Sequence, residues 1–252
     1  LKIETITSVR HDTDNIIIRD IPVSSTIVDI PNYGLTIIDT GSPGNSDMLE
    51  ELEQLGYTPA DFRMVINTHL HVDHMGGNRL FTNARILVSR QELDFENNFS
   101  RLLRASADPL AALNLMGRYV EADSHELARH LIKLVNDYPA AALIGDQSQV
   151  EFFEDEPDLP RIISLLPVPG HSVDSRAVLL QGKTRRAVAA GDALYHRDLW
   201  RYDTMAAIHF NARQFQQNAE KIALFPDIII PGHDRVFDNL TGQYLRDDYF
   251  TI

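Results

Sequence analysis

The stretch Thr68-His69-Leu70-His71-Val72-Asp73-His74-Met75-Gly76-Gly77 sets three imidazoles and a carboxylate within a few positions of one another. In an extended segment side chains alternate faces, so His69, His71 and Asp73 point the same way, and a turn at Asp73 brings His74 round to join them. Four ligand-type groups then converge on one small volume, which is the spacing of metal ligands rather than of a polar loop with hydrogen-bonded histidines. The preceding Arg63-Met64-Val65-Ile66-Asn67 reads as a short buried strand. The Gly pair suits a backbone packed tightly as a helix begins.

Three later segments add to this cluster. His171 sits in Val168-Pro169-Gly170-His171-Ser172, Asp192 in Ala189-Ala190-Gly191-Asp192-Ala193, and His233 in Ile229-Ile230-Pro231-Gly232-His233-Asp234. Each follows an apolar, strand-like run and is presented at the tip of a strand. Any one alone reads as a turn residue bonded to backbone. Together with the first cluster they make five histidines and two aspartates, enough for two metal ions sharing a carboxylate. Earlier in the chain, Ile37-Ile38-Asp39-Thr40-Gly41 reads as a strand ending in an acidic turn.

The motif set resembles that of the metallo-β-lactamase superfamily, whose signature is His-x-His-x-Asp-His followed by a distant His, a distant Asp and a last His. The resemblance covers Asp39 to Asp234. It implies a four-layered αββα sandwich, an α/β (α+β) fold, with His69, His71 and His171 holding one metal, Asp73, His74 and His233 the other, and Asp192 bridging. Asp39 would support the metal loop from behind. With no cysteine in the chain, the site is built from imidazole and carboxylate, and the cysteine ligand of several true β-lactamases has no counterpart. His71 stands where the di-iron flavoprotein branch has Glu, which favours hydrolysis over oxygen reduction. Two divalent ions are expected, zinc first, with manganese or iron as alternatives.

Composition fits one enzyme-sized domain over residues 1–252: the chain is 44% hydrophobic and no Gly/Ser linker divides it. Its formal charge of −13 repels a polyanion at long range, so nucleic acid is not an expected partner. No apolar run approaches the ~20 residues that span a bilayer. The expectation is a cytoplasmic protein without a membrane partner, acting on a small molecule. The chain starts at Leu1, which leaves a removed leader open.

Read along the chain, the first third turns like a β-meander, with strands at Lys2 to Val9, Asn15 to Arg19, Ser25 to Ile30 and Leu35 to Ile38. Residues Asp47 to Gly56 predict a surface helix with Met48, Leu52 and Leu55 inward and Gly56 as its stop. A strand at Arg85 to Val88 leads to a helix near Ser89, where Ser89 and Glu92 have capping-box spacing. Residues 92–145 read as a helical insertion. It serves as a cap over the site or as a homodimer surface, two roles that both bury an apolar helical face. His125 and His130 within it are expected to face solvent. Asn211 is expected to cap a helix with Phe215, Ala219, Ile222, Leu224 and Phe225 available for its inner face, and His196 and His209 to be packing or loop residues.

The implied chemistry is hydrolysis. Two divalent ions about 3.5–4 Å apart lower the pKa of a bridging water until hydroxide exists near neutral pH. Asp73 is placed to steer that water's remaining proton. No Gly-x-Ser-x-Gly elbow offers a serine nucleophile. Within the superfamily, His69 to Asn78 with Phe81-Thr82-Asn83, Asp192-Ala193-Leu194-Tyr195 and Gly232-His233-Asp234 resemble the N-acyl homoserine lactonase branch. There a tyrosine three residues after the bridging aspartate points at the substrate carbonyl, the position of Tyr195. The expected reaction is therefore opening of a lactone, with phosphodiester or phosphotriester hydrolysis and thioester hydrolysis as alternatives on the same metal pair. A non-catalytic metal-binding scaffold is disfavoured because no ligand position is missing. With 19 residues after His233, the C-terminal helical domain of a glyoxalase-II-like thioesterase is not expected.

Overall fold

Period-two alternation of apolar side chains organises the chain into two sheets in a computed structural model, which describes residues 1–10, 21–44, 46–108, 111, 132–202 and 210–252. In chain order come β1 (Lys2–Arg10), β2 (Ile21–Ile30), β3 (Gly34–Ile38), α1 (Ser46–Gln54), β4 (Phe62–Ile66), α2 (Val72–Met75), β5 (Arg85–Val88) and α3 (Arg90–Ala105). Then follow α4 (Ala140–Leu143), β6 (Val150–Phe152), β7 (Ile163–Pro167), β8 (Arg176–Gln181) and β9 (Arg186–Gly191). The last elements are α5 (Arg197–Tyr202), α6 (Ala212–Ile222), β10 (Ile228–Pro231), β11 (Phe237–Asp238) and β12 (Tyr249–Thr251). The first sheet runs β12-β1-β2-β3-β4-β5-β6 and the second β11-β10-β9-β8-β7.

Alternation sorts the side chains into layers. Ile38, Met64 and Ile66 of the first sheet meet Val178, Ala187, Ala189, Ile228 and Ile230 of the second in the central core. Their neighbours Ile37, Phe62 and Val65 face the other way, against Met48 and Leu52 of α1. Val188, Ala190 and Ile229 turn outward in the second sheet to pack with Ile222 of α6. Helix, sheet, sheet and helix thus form the expected αββα sandwich. Four apolar residues of β4 are fully buried. At about 1.5–3 kcal/mol each, they fix the strand whose next residues are the histidine run.

Strands β3, β4, β5 and β6 pair in parallel, as do β9 and β10. Their carboxyl ends open on one edge of the sandwich, where ligand sites of α/β sheets form. Several details differ from the sequence expectation. Leu55 lies beyond the end of α1 and is exposed, although Gly56 adopts the positive φ of a helix stop, +80°. Leu224 and Phe225 likewise fall past α6 and are exposed, whereas Phe215, Ala219 and Ile222 are buried as expected. Asn211 does cap α6, its side chain accepting from Gln214 N at 3.1 Å. Of the insertion, α3, residues 132–137 and α4 are helical. The expected strand at Asn15 to Arg19, and His125, His130 and His209, lie outside the described residues. No helix among the described residues is long and apolar enough to cross a membrane.

Candidate metal centre

The histidine run leaves β4 extended through His71 and then coils. His71 is the N-cap of the one-turn helix α2, so Asp73 and His74 sit on a helical turn rather than on a continued strand. This corrects the extended reading at Asp73, and it puts the Gly pair between two helical turns, with Gly76 as C-cap of α2 and Gly77 as N-cap of a short turn over Asn78–Leu80. The pair is packed tightly all the same: a Cβ on Gly77 would come within 2.4 Å of Thr40 O, and one on Gly76 within 2.2 Å of Pro43 N.

All seven predicted residues converge. The ligand-type atoms of His69, His71, His171 and Asp192 lie within 4.8 Å of one another, as do those of Asp73, His74 and His233. The Asp192 carboxylate touches both groups. Its Oδ2 is 3.2 Å from His171 Nε2, 3.1 Å from His233 Nε2 and 4.0 Å from His69 Nε2, while Oδ1 is 3.1 Å from His74 Nε2. His171 Nε2 lies 2.9 Å from His71 Nδ1, and His233 Nε2 lies 3.9 Å from Asp73 Oδ2. His69 Nε2 is buried and makes no hydrogen bond among the described residues. An orphan of that kind costs about 1–3 kcal/mol, a cost that coordination to a cation removes. Imidazole nitrogens with carboxylate oxygens suit zinc, iron or manganese. The residues present therefore fit a pair of divalent ions.

Partners behind the ring atoms fix their orientation. Asp39, held at φ +59°, accepts from Thr68 N at 2.8 Å and Thr68 Oγ1 at 2.7 Å, and its Oδ2 lies 2.9 Å from His74 Nδ1. His233 Nδ1 faces the Pro22 carbonyl at 2.7 Å, and His69 Nδ1 faces Thr68 Oγ1 at 3.1 Å. Asp39 thus occupies the supporting place expected for it. A buried amide pair lies below: Asn78 Nδ2 donates to Asn67 Oδ1 at 2.7 Å, and Asn67 Nδ2 to His74 O at 2.9 Å. Sequence reasoning missed this pair, although both residues flank the histidine run.

Charge divides the histidines into two kinds. Burial holds His69 well below its usual pKa, with His74 adding to the effect, and burial lowers His171 to about 4. Burial also disfavours charge on His74, but the Asp192 and Asp39 carboxylates on either side of its ring outweigh it and hold His74 well above the usual value. His233 is raised by the same balance with Asp192. Asp192 is held well below the carboxylate range, its burial outweighed by His233, His74 and His171. The buried carboxylates thus favour charge at His74 and His233 while burial disfavours it at His69 and His171, and a divalent cation would compete with protons for these ring nitrogens.

Tyr195 is half-buried just after the helical turn Asp192–Leu194 that follows β9, its ring centroid 6.3 Å from that of His233 and 6.4 Å from that of Phe215. Burial, and then the Asp192 charge, push its phenol pKa up. Phe95 and Phe210 meet edge to face at 5.5 Å, and Phe210 N donates to His171 O at 3.0 Å, so aromatic rings flank this side of the cluster. His196 is a partly exposed loop residue whose Nε2 lies 3.5 Å from Asp234 Oδ2.

Comparison with known proteins agrees with this geometry. A probable metallo-hydrolase of Methanocaldococcus jannaschii is 39% identical over 64 residues, 25% of this chain and 32% of that protein. An N-acyl homoserine lactonase of Bacillus thuringiensis is 49% identical over 43 residues, 17% of each chain. The matched stretches thus span a third or less of those relatives' own lengths. Among solved structures, AidC, a dizinc quorum-quenching lactonase, superposes with a TM-score of 0.66 at 18% identity, covering 85% of this chain and 73% of that one. The family model for the metallo-beta-lactamase superfamily matches residues 18–233, and with that match over most of its length the chain belongs to this superfamily.

Proposed function

We propose that the chain is a hydrolase with a dinuclear metal centre that opens a lactone ring of the N-acyl homoserine lactone type. His69, His71 and His171 would hold one ion, and Asp73, His74 and His233 the other. The observation that carries the reading is the Asp192 carboxylate, which lies 3.2 Å from His171 with one oxygen and 3.1 Å from His74 with the other. A carboxylate so placed is within reach of both ligand groups and would be shared between the ions they hold. When bound, a pair of divalent ions supplies an activated water near neutral pH and a Lewis acid for the substrate carbonyl.

The remaining work falls to the chain. Asp73, an acceptor at the rim of the second group, takes up the proton released as water adds to the carbonyl carbon. That proton passes to the ring oxygen as the C–O bond breaks, leaving a hydroxy acid. Tyr195 stays a neutral donor because its pKa is raised, so its O–H is available to the carbonyl oxygen as that gains charge or to the departing ring oxygen. The rings of Phe215, Phe210 and Phe95 offer an apolar flank to an acyl group. The likeness to the Bacillus lactonase, 49% identity over 43 residues, supports the substrate class.

The test is a hydrolysis panel of one N-acyl homoserine lactone, one thioester and one aryl phosphodiester, run with metal analysis. About two ions per chain, with lactone cleaved fastest, is the expected result. Asp192→Ala is expected to lose both metal content and turnover. Full activity after exhaustive chelation would overturn the metal reading, and phosphodiester cleaved far faster than lactone would overturn the substrate class alone.

A further inference from the structure

Glu92 is fully buried in the first turn of α3, yet it does not complete the capping box its spacing predicts. Ser89 does its half, its Oγ accepting from Glu92 N at 3.2 Å. The Glu92 carboxylate turns instead toward the site. Its Oε1 accepts from Asp174 N at 2.5 Å and its Oε2 from Leu70 N at 3.5 Å. Leu70 stands between His69 and His71, and Asp174 follows His171 by three residues. One side chain from a helix therefore ties together the two loops that carry all three histidines of one metal group.

Further bonds brace the same place. Asp174 Oδ2 accepts from Ser89 Oγ at 2.7 Å and from Arg176 Nη2 at 2.7 Å, and Arg176 N donates to Thr68 O at 2.7 Å. On the His171 side, Ser172 N donates to Ser175 Oγ at 3.3 Å. The network runs from residues 68–70 through 89–92 to 172–176 and crosses from the first sheet to the second. Burying a carboxylate is costly unless its oxygens are matched with donors. An apolar side chain would pack the inner face of α3 without that requirement. What the carboxylate adds is a fixed separation between two ligand loops, and tight metal binding tolerates only a few tenths of an ångström in ligand placement.

We propose that Glu92 is a positioning residue that sets the spacing of His69, His71 and His171 and thereby the affinity of that metal group. This rests on the dinuclear reading but not on the choice of substrate. The test is competitive titration of chelator-stripped protein with cobalt(II), which reports coordination by its absorption bands, together with the melting temperature of the stripped protein. For Glu92→Gln, which keeps the shape but turns an amide N–H toward a backbone N–H, one of two cobalt-binding steps is expected to weaken by about ten- to a hundredfold. The other step stays within about threefold. Ser89→Ala, which leaves Glu92 in place and removes the Ser89 bond to the Asp174 carboxylate, is expected to weaken the same step less, and it provides the reading if Glu92→Gln does not fold. A lower melting temperature with both cobalt affinities unchanged would make Glu92 a purely structural residue and overturn the proposal. A parent protein that takes up no cobalt would overturn the metal reading and the positioning role together.

Discussion

At Tyr195 the hydroxyl and the ring do separable things. The ring packs between Phe215 and His233, and the hydroxyl carries the proposed hydrogen bond to the substrate. Tyr195→Phe is therefore expected to lower turnover by about ten- to a thousandfold, the range for losing one transition-state donor, while the melting temperature barely moves. Tyr195→Ala loses the ring as well and is expected to destabilise the fold by up to about 3 kcal/mol, the low end for an aromatic truncation at a half-buried site. Turnover and melting of both variants, with metal content checked, separate the two contributions. An active Phe variant would remove Tyr195 from catalysis and leave the ligands untouched. The same scale shows what a sequence makes legible. The seven site residues could be picked out because ligation uses few residue types and crowds four of them into one short run. Glu92, Asp174, Asn67 and Asn78 could not, since each acts through a partner elsewhere in the chain. Glu92 and Asp174 are 82 residues apart, and alone each looks like any surface polar residue.

Among the elements, α2 shows where the conformation of the histidine run departs from the extended reading of its spacing. His-x-His-x-Asp-His satisfies a period of two, yet one helical turn after His71 brings Asp73 and His74 to the same place, with Asp73 favoured near the positive end of that turn. Strand positions in the parallel part of the first sheet were legible because β-branched and apolar runs are short and bounded by turns. Helix ends were less so, as Leu55, Leu224 and Phe225 show, because periodicity does not mark where burial stops. The tips of β9 and β10 give a sharper test. They pair in parallel, with Gly232 N bonded to Gly191 O at 3.1 Å, and a Cβ on Gly232 would fall 2.1 Å from Asp192 Oδ1. Gly232→Ala must displace that carboxylate or the strand tip. The expected outcome is a loss of about 1–3 kcal/mol from overpacking together with metal content falling below that of the parent. Melting curves and metal analysis check it, and an Ala variant with parental metal content would mean that the tip yields without moving Asp192.

Across the whole molecule, the first sheet side supplies His69, His71, Asp73 and His74, and the second supplies His171, Asp192 and His233. Metal bound only by the folded chain stabilises it through mass action, by about 4 kcal/mol at a thousandfold excess over the dissociation constant. For a chain of this size that corresponds to a melting temperature higher by on the order of 10 °C. Scans with saturating zinc and with excess chelator measure it, and coincident curves would show that the cluster holds no ion in the native state.

A ligand set divided in this way also has a kinetic side. Each proposed ion takes ligands from both sheets, so neither sheet can peel away while the other keeps its coordination intact. Loaded protein is then a single cooperative unit, in which the slowest backbone amides of β4 and of β9 exchange with solvent deuterium at one shared rate. Stripped of its ions, the sandwich keeps the apolar core between its sheets but would lose that clasp, and the slowest amides of β4 and β9 are then expected to exchange faster than in the loaded protein.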